Sequence, residues 1–203
     1  VSSHQIEMLI YGGVCRDNLE PATACAVADG LGIPQHAVVY DVSNACLGVL
    51  NGMVHIANAI ELGQIQAGMV VSCESARQII DFTIDRLLEK KDMDHFKKTI
   101  ATLTGGSGAV AVLLTDASLS DTGHQLLGGV IRSATVHYKL CRWGPDTGIP
   151  ASCLHIMQTD SVGVLQHGVS LGIETYQAFK KELMWPEDKP DKVICHQVGS
   201  THQ

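Results

Sequence analysis

Aromatic residues are scarce: two Trp, four Tyr and three Phe make up 4% of the 203 residues. A chain so poor in rings offers little platform for stacking bases. Cations are outnumbered as well, with 14 Lys and Arg against 21 Asp and Glu and a formal net charge of -7. Phosphate tracking needs a basic footprint, so nucleic acid is not an expected partner; a small anionic ligand held by a few local cations is not excluded. The seven Cys are odd in number and scattered, with no C-x-x-C. That argues against a disulfide framework and against a zinc site, and it suits a reducing, cytoplasmic setting. No metal or cofactor is expected. The apolar runs, such as Ala109 to Leu114, fall far short of the ~20 residues that span a bilayer, so no membrane span is expected. Val1 to Gln5 shows no basic n-region leading into an apolar signal core. There is no Walker A lysine, no H-E-x-x-H and no short-period repeat.

What the chain has is 45% hydrophobic residues and 20 Gly, enough for one good core or two small ones with tight strand–helix turns. Strand-length apolar runs alternate with helical stretches. Strands are expected at Ile6 to Tyr11, His36 to Val42, Ala67 to Cys73, Ala109 to Leu114, Gly128 to Ala134 and Lys192 to His196. Helices are expected at Pro21 to Gly30, Asn44 to Leu62 and about Ser161 to Met184. The second of these is apolar on nearly every side and reads as buried, with Ser43 or Asn44 as its cap. Gln78 to Thr102 is charged and amphipathic, a peripheral excursion whose charges read as a solvated face. Thr115 to Gly123 is a polar linker, and Cys141 to Pro145 reads as loop. Such alternation predicts an α/β fold with a mostly parallel sheet. The chain opens without Met almost directly into a strand and stops at His202-Gln203 in mid-pattern, which reads as a fragment.

Three residues stand out as candidates for chemistry. Cys46 falls in the first turn after a buried strand, where helix amides and the helix dipole stabilise a thiolate and can bind an oxyanion. The competing reading is a small core residue, the usual fate of an unpaired Cys, and position alone leaves both open. His196 ends the Lys192 to Cys195 run, at the strand end where α/β sheets place ligands. A neutral imidazole there can take a thiol proton or donate to a carbonyl; with ten His in the chain, a structural histidine is the competing reading. Glu20, in the loop Cys15 to Pro21, is on its own evidence an ordinary surface acid or the first-turn acid of the next helix. Gly105-Gly106-Ser107-Gly108 precedes a strand rather than a helix, so it is neither a dinucleotide fingerprint nor a G-x-S-x-G elbow. Arg132, Arg142 and Trp143 can line a ligand entrance, but surface roles are the favoured reading for each.

The segment Asp41-Val42-Ser43-Asn44-Ala45-Cys46-Leu47-Gly48 resembles the nucleophile motif of the ketoacyl synthase III branch of the thiolase superfamily. Gly105 to Ala109 resembles that family's glycine-rich turn, and His196-Gln197 its catalytic histidine motif, in the family's order. Val14-Cys15-Arg16-Asp17-Asn18-Leu19-Glu20-Pro21, Arg132 to Thr135 and Lys139 to Arg142 are similar to the family members that start long-chain olefin biosynthesis. The resemblance covers nearly the whole chain. It implies a partial thiolase fold, layered α-β-α-β-α and truncated at both ends, with residues 1–120 in the N-terminal half and 121–203 beginning the C-terminal half.

It further implies an acyltransferase. Cys46 carries an acyl group as a thioester, His196 assists the condensation, and Glu20 reaches into a partner subunit's site as the base that makes the carbanion. The implied substrates are acyl-CoA or acyl-acyl carrier protein, and the implied assembly is a homodimer. The family's catalytic Asn and late glycine-rich loop are expected after Gln203. The expected reaction is a non-decarboxylative Claisen condensation of two acyl-CoAs. Its alternatives are a decarboxylative 3-oxoacyl-acyl carrier protein synthase III, a Cys/His hydrolase and a non-catalytic acyl-binding subunit.

Overall fold

The computed structural model describes all residues except 19, 146–154, 187–189 and 197–203. Two compact units are present, Val1–Ser75 with Gly106–Leu126, and Ala76–Gly105 with Leu127–Gln203.

The first unit is built on a four-stranded sheet. Strands β1 (Met8–Gly12), β2 (Val38–Val42), β3 (Ala67–Glu74) and β4 (Gly108–Thr115) lie in the order β2-β1-β3-β4. β1 is parallel to both β2 and β3, with Gly12 opposite Val42 and Ile10 opposite Val70. β4 runs antiparallel to β3, pairing Glu74 with Gly108. The chain thus winds from β1 to β2 on one side and then crosses β1 to reach β3. The connecting helices α1 (Thr23–Leu31) and α2 (Gly48–Glu61) cover opposite faces.

The side-chain alternation of β1 explains this arrangement. Leu9 and Tyr11 point to α1 and pack with Ala24, flanked by Val27, Ile33, Val39 and Val71. Ile10 points the other way and packs with Ile56, Ala59, Ile65 and Val70. Leu9, Ile10, Ile56 and Val70 are fully buried; each such side chain contributes roughly 1.5–3 kcal/mol by leaving water.

α1 ends at Gly32, whose φ of 64° closes the helix in the left-handed region that glycine adopts without steric cost. α2 buries Gly48, Gly52, Ile56 and Ala59, one stripe at helical spacing. Its other face, with Leu50 and Val54, is exposed. Burial on nearly every side, expected from composition, is therefore not what this helix shows.

In the second unit, the charged excursion forms α3 (Arg77–Lys90) and α4 (Met93–Thr99), followed by a 3-10 turn over Ile100–Thr104. Asp92 caps α4 by accepting from the Asp94 amide at 2.9 Å. The Arg77–Asp81 and Lys97–Asp94 pairs are well over half exposed on both partners, a solvated face of little energetic weight. β5 (Cys141–Pro145) and β6 (His155–Thr159) form an antiparallel pair with Trp143 opposite Met157, where a loop was expected. α5 (Ser161–Glu182) follows, capped by Asp160 accepting from the Gly163 amide at 2.9 Å. Gly128–Ala134 and Lys192–His196, both expected as strands, are irregular. Ile194 is 90% exposed and Val193 57%. Among the described residues no helix is long and apolar enough to cross a membrane.

Candidate active site

Because β1, β2 and β3 are parallel, the segments following Gly12, Val42 and Glu74 leave the sheet at one end. This is the carboxyl end, where open α/β sheets bind ligands. Cys46 lies there, in the link between β2 and α2. The link is a 3-10 turn, Ala45–Leu47, and α2 proper starts at Gly48, later than the sequence pattern implied. Ala45 has φ 45°, in the left-handed region that alanine avoids. Such a residue costs of order 1–3 kcal/mol and persists where its surroundings over-determine it. The expected cap is absent: Asn44 makes no capping bond, and its Nδ2 donates to Asn51 Oδ1 at 2.6 Å. Cys46 is exposed rather than packed in the core.

A glycine–glycine contact holds the turn against the sheet. A β-carbon on Gly12 would lie 2.6 Å from the carbonyl carbon of Gly48 and 2.9 Å from the Val49 nitrogen. Only backbone fits between the end of β1 and the first residue of α2, so both positions require glycine. One turn further on, a β-carbon on Gly52 would meet Val70 Cγ2 at 2.5 Å.

Three side chains that sequence reasoning did not single out organise the neighbouring loop. Asp41, on β2, accepts from the amides of Thr23 and Ala24, each at 2.9 Å, and so caps α1 from across the sheet end. Its side chain is 5% exposed, and the Arg16 guanidinium stands 3.9 Å away. Glu74, closing β3, accepts from the Val14 amide at 2.7 Å and the Cys15 amide at 3.2 Å. The Tyr11 hydroxyl is shared between the carbonyls of Cys15 (2.5 Å) and Cys73 (2.8 Å). Burial, with Glu74 nearby, pushes the Tyr11 phenol up to about 12. Burial and the hydrogen bond to Glu74 push the Cys15 thiol up to about 11. Cys15 is therefore a protonated, unreactive thiol at neutral pH. The Asp of the motif and the acid at a strand end were visible as residue types, but their partners are 17 to 60 positions away in sequence.

Glu20 is exposed on the loop joining β1 to α1, at the same sheet end as the Cys46 turn, and precedes Pro21 through a cis peptide bond. His196 belongs to the second unit and is exposed in an irregular segment; the adjoining Gln197 falls outside the described residues. Gly105 packs on the Ala76 side chain, whereas Gly106 and Gly108 have open space where a β-carbon would be. Arg132 lines a cleft of about 350 Å³ with Glu174, Gln177, Ala178 and Lys181. Arg142 and Trp143 are exposed on β5. Among the described residues no group of three or more His, Cys, Asp or Glu could hold a metal ion.

Residues 40–134 match the family model of 3-oxoacyl-[acyl-carrier-protein] synthase III. Residues 40–134 thus carry a thiolase-like synthase III domain. The chain is 52% identical over 202 residues to the acyl-CoA:acyl-CoA alkyltransferase of Shewanella oneidensis, covering 98% of this chain and 58% of the relative. It is 35% identical over 203 residues to the protein of the same description from Xanthomonas campestris, covering 100% of this chain and 57% of that one. The crystal structure of a cysteine-to-serine form of Xanthomonas campestris OleA, with bound lauric acid and lauroyl-CoA, superposes with a TM-score of 0.89 at 34% identity, covering 100% of this chain and 58% of that one. A β-ketoacyl-[acyl-carrier-protein] synthase III of Paramagnetospirillum magneticum is 27% identical over 141 residues, 69% of this chain and 39% of that one. The chain thus spans a little under three-fifths of the alkyltransferases it matches.

Proposed function

We propose that this chain is the nucleophile-bearing part of an acyltransferase that joins two acyl-CoA molecules by a non-decarboxylative Claisen condensation. The observation that carries this reading is the placement of Cys46. It is an exposed thiol in a strained turn at the carboxyl end of three parallel strands, followed at once by a helix packed on the sheet. The 52% identity to an acyl-CoA:acyl-CoA alkyltransferase supports the choice of substrates.

The mechanism is ping-pong. The Cys46 sulfur attacks the carbonyl of the first acyl-CoA. The tetrahedral intermediate collapses, the CoA thiolate leaves and takes a proton, and a Cys46 thioester remains. A second acyl-CoA gives an α-proton to the Glu20 carboxylate contributed by the other subunit of the dimer. The resulting carbanion attacks the Cys46 thioester carbonyl, expels the thiolate and forms a β-ketoacyl-CoA. His196 serves as the donor that stabilises carbonyl oxygen charge. A general base is needed because a plain acyl-CoA, unlike a malonyl unit, cannot form its carbanion by losing carbon dioxide. Solved structures of the Xanthomonas protein include forms altered at a cysteine, a glutamate and a histidine, the three residue types assigned here. Residues 1–120 and 121–203 are read as parts of the two thiolase halves, and the assembly as a cytoplasmic homodimer.

The test is Glu20→Ala in the protein expressed from its whole reading frame. Condensation of acyl-CoA pairs is expected to fall at least a hundredfold, within the range a general base supplies, while intact mass still shows an acyl adduct on Cys46. Unchanged condensation sinks the assignment of Glu20. An unmodified Cys46 sinks the enzyme reading in favour of acyl binding alone, and free acid as the product would indicate a hydrolase. The synthase III match over residues 40–134 favours one second reading, decarboxylative condensation with a malonyl thioester, which carbon dioxide release reveals.

A further inference from the structure

The loop that carries Glu20 runs from the end of β1 to the start of α1. Both of its stems end on a carboxylate from a neighbouring strand. At the first stem, Glu74 of β3 takes the amides of Val14 and Cys15 on its two oxygens, at 2.7 and 3.2 Å. The Tyr11 hydroxyl ties the Cys15 carbonyl to β3 beside it. At the second stem, Asp41 of β2 takes the amides of Thr23 and Ala24 on its two oxygens, both at 2.9 Å. The Arg16 side chain comes back toward Asp41 from inside the loop, at 3.9 Å. Between the stems, Arg16 to Asn18 and Glu20 are exposed.

This is a bracket rather than ordinary loop packing. A charged acceptor bonded to two backbone donors is stronger than a neutral pair and fixes direction as well as distance. Asp41 is nearly excluded from water, so its bonds face little competition from solvent. Neither carboxylate lies on the loop it holds. Each belongs to a strand of the sheet, Asp41 to β2 and Glu74 to β3. The position of Glu20 is thereby referred to the rigid sheet of its own subunit. Catalysis is sensitive to such referencing, since displacement of a base by about 1 Å can cost ~100-fold in rate.

We propose that Asp41 and Glu74 are positioning residues that hold the two stems of the Glu20 loop and set where its carboxylate is presented. The inference rests on the assignment of Glu20 as the base. Glu74→Gln keeps the shape of the side chain and removes its charge and one acceptor oxygen. It is expected to lower the kcat for condensation of two acyl-CoAs at least tenfold. In a Glu20→Asp background, where the base is already drawn back by one methylene, the same change should cost less than threefold. Asp41→Asn is expected to follow the same pattern.

An equal loss in both backgrounds would mean that Glu74 acts elsewhere and would overturn the proposal. So would a loss below twofold in the Glu20-containing protein, provided Glu20→Ala is inactive. Full activity of Glu20→Ala would instead remove the base assignment itself, and this inference with it. If Glu74→Gln does not fold, hydrogen exchange on the unaltered protein decides. The amides of Val14, Cys15, Thr23 and Ala24 should exchange at least tenfold more slowly than those of Asp17, Asn18 and Glu20. Stems that exchange as fast as the loop between them would refute the bracket.

Discussion

A β-carbon placed on Gly48 would lie 2.8 Å from the carbonyl carbon of Gly12, whereas one placed on Gly106 or Gly108 would meet nothing within 4 Å. Both regions are glycine-rich turns at strand ends, and by composition the run at 105–108 is the more conspicuous. Only the first is a steric necessity. There, backbone meets backbone, and the contact decides how closely the helix after Cys46 approaches the sheet. At Gly106 and Gly108 glycine is tolerated rather than demanded by these surroundings. The density of glycine in a sequence is a poor guide to where glycine matters; what counts is whether something rigid occupies the place of the missing β-carbon.

The contrast can be broken by substitution. Gly48→Ala should have the largest effect, about 2–3 kcal/mol in urea unfolding, because the opposing atoms are backbone and cannot rotate away. A loss under 1 kcal/mol would mean that α2 can lift off β1 at little cost.

Tyr11→Phe, beside the same sheet end, should cost about 1 kcal/mol at pH 7 by leaving the Cys15 and Cys73 carbonyls short of a donor. It also sharpens the comparison through pH. Tyr11 is raised from 10.0 to about 12 and Cys15 from 9.0 to about 11. In each case the unfolded chain ionises first. The contribution is therefore whole below pH 9 and is lost as pH climbs toward 12. Chemical denaturation between pH 8 and 11.5 should show falling stability for the native protein and a shallower fall above pH 10 for Tyr11→Phe. Parallel curves would show that the phenol is not held protonated by the fold. The smallest effect is expected for Gly106→Ala: within ~0.5 kcal/mol, or a gain of up to ~1 kcal/mol from the stiffer unfolded chain.

Strands and helices that depend on a local pattern were legible in the sequence. Met8–Gly12, Val38–Val42, Ala67–Glu74 and Gly108–Thr115 fall within two residues of the apolar runs that marked them. Gly128–Ala134 and Lys192–His196 carry comparable β-branched runs yet are irregular, and among the described residues no strand pairs with them. A strand exists only through hydrogen bonds to a neighbour, so a run of Val and Ile is an offer of pairing rather than a strand. The β5–β6 pair shows the converse. Cys141-Arg142-Trp143-Gly144-Pro145 has no alternation to announce it, and its partner begins at His155.

By itself, the sequence determined the α/β class, the alternation of β1 that faces Leu9 to one layer and Ile10 to the other, and the identity of Cys46 as the residue between a strand and a helix. These follow from periodicities of two and about 3.6 residues, which are properties of the backbone alone. The tertiary structure alone decided that Cys46 is exposed, that Ala45 is strained ahead of it, and that Asp41 and Glu74 grip amides up to 60 positions distant. Those features arise where chain segments far apart in sequence meet, and a hydrogen bond or close contact has no trace in a pattern until the fold has brought its two halves within reach.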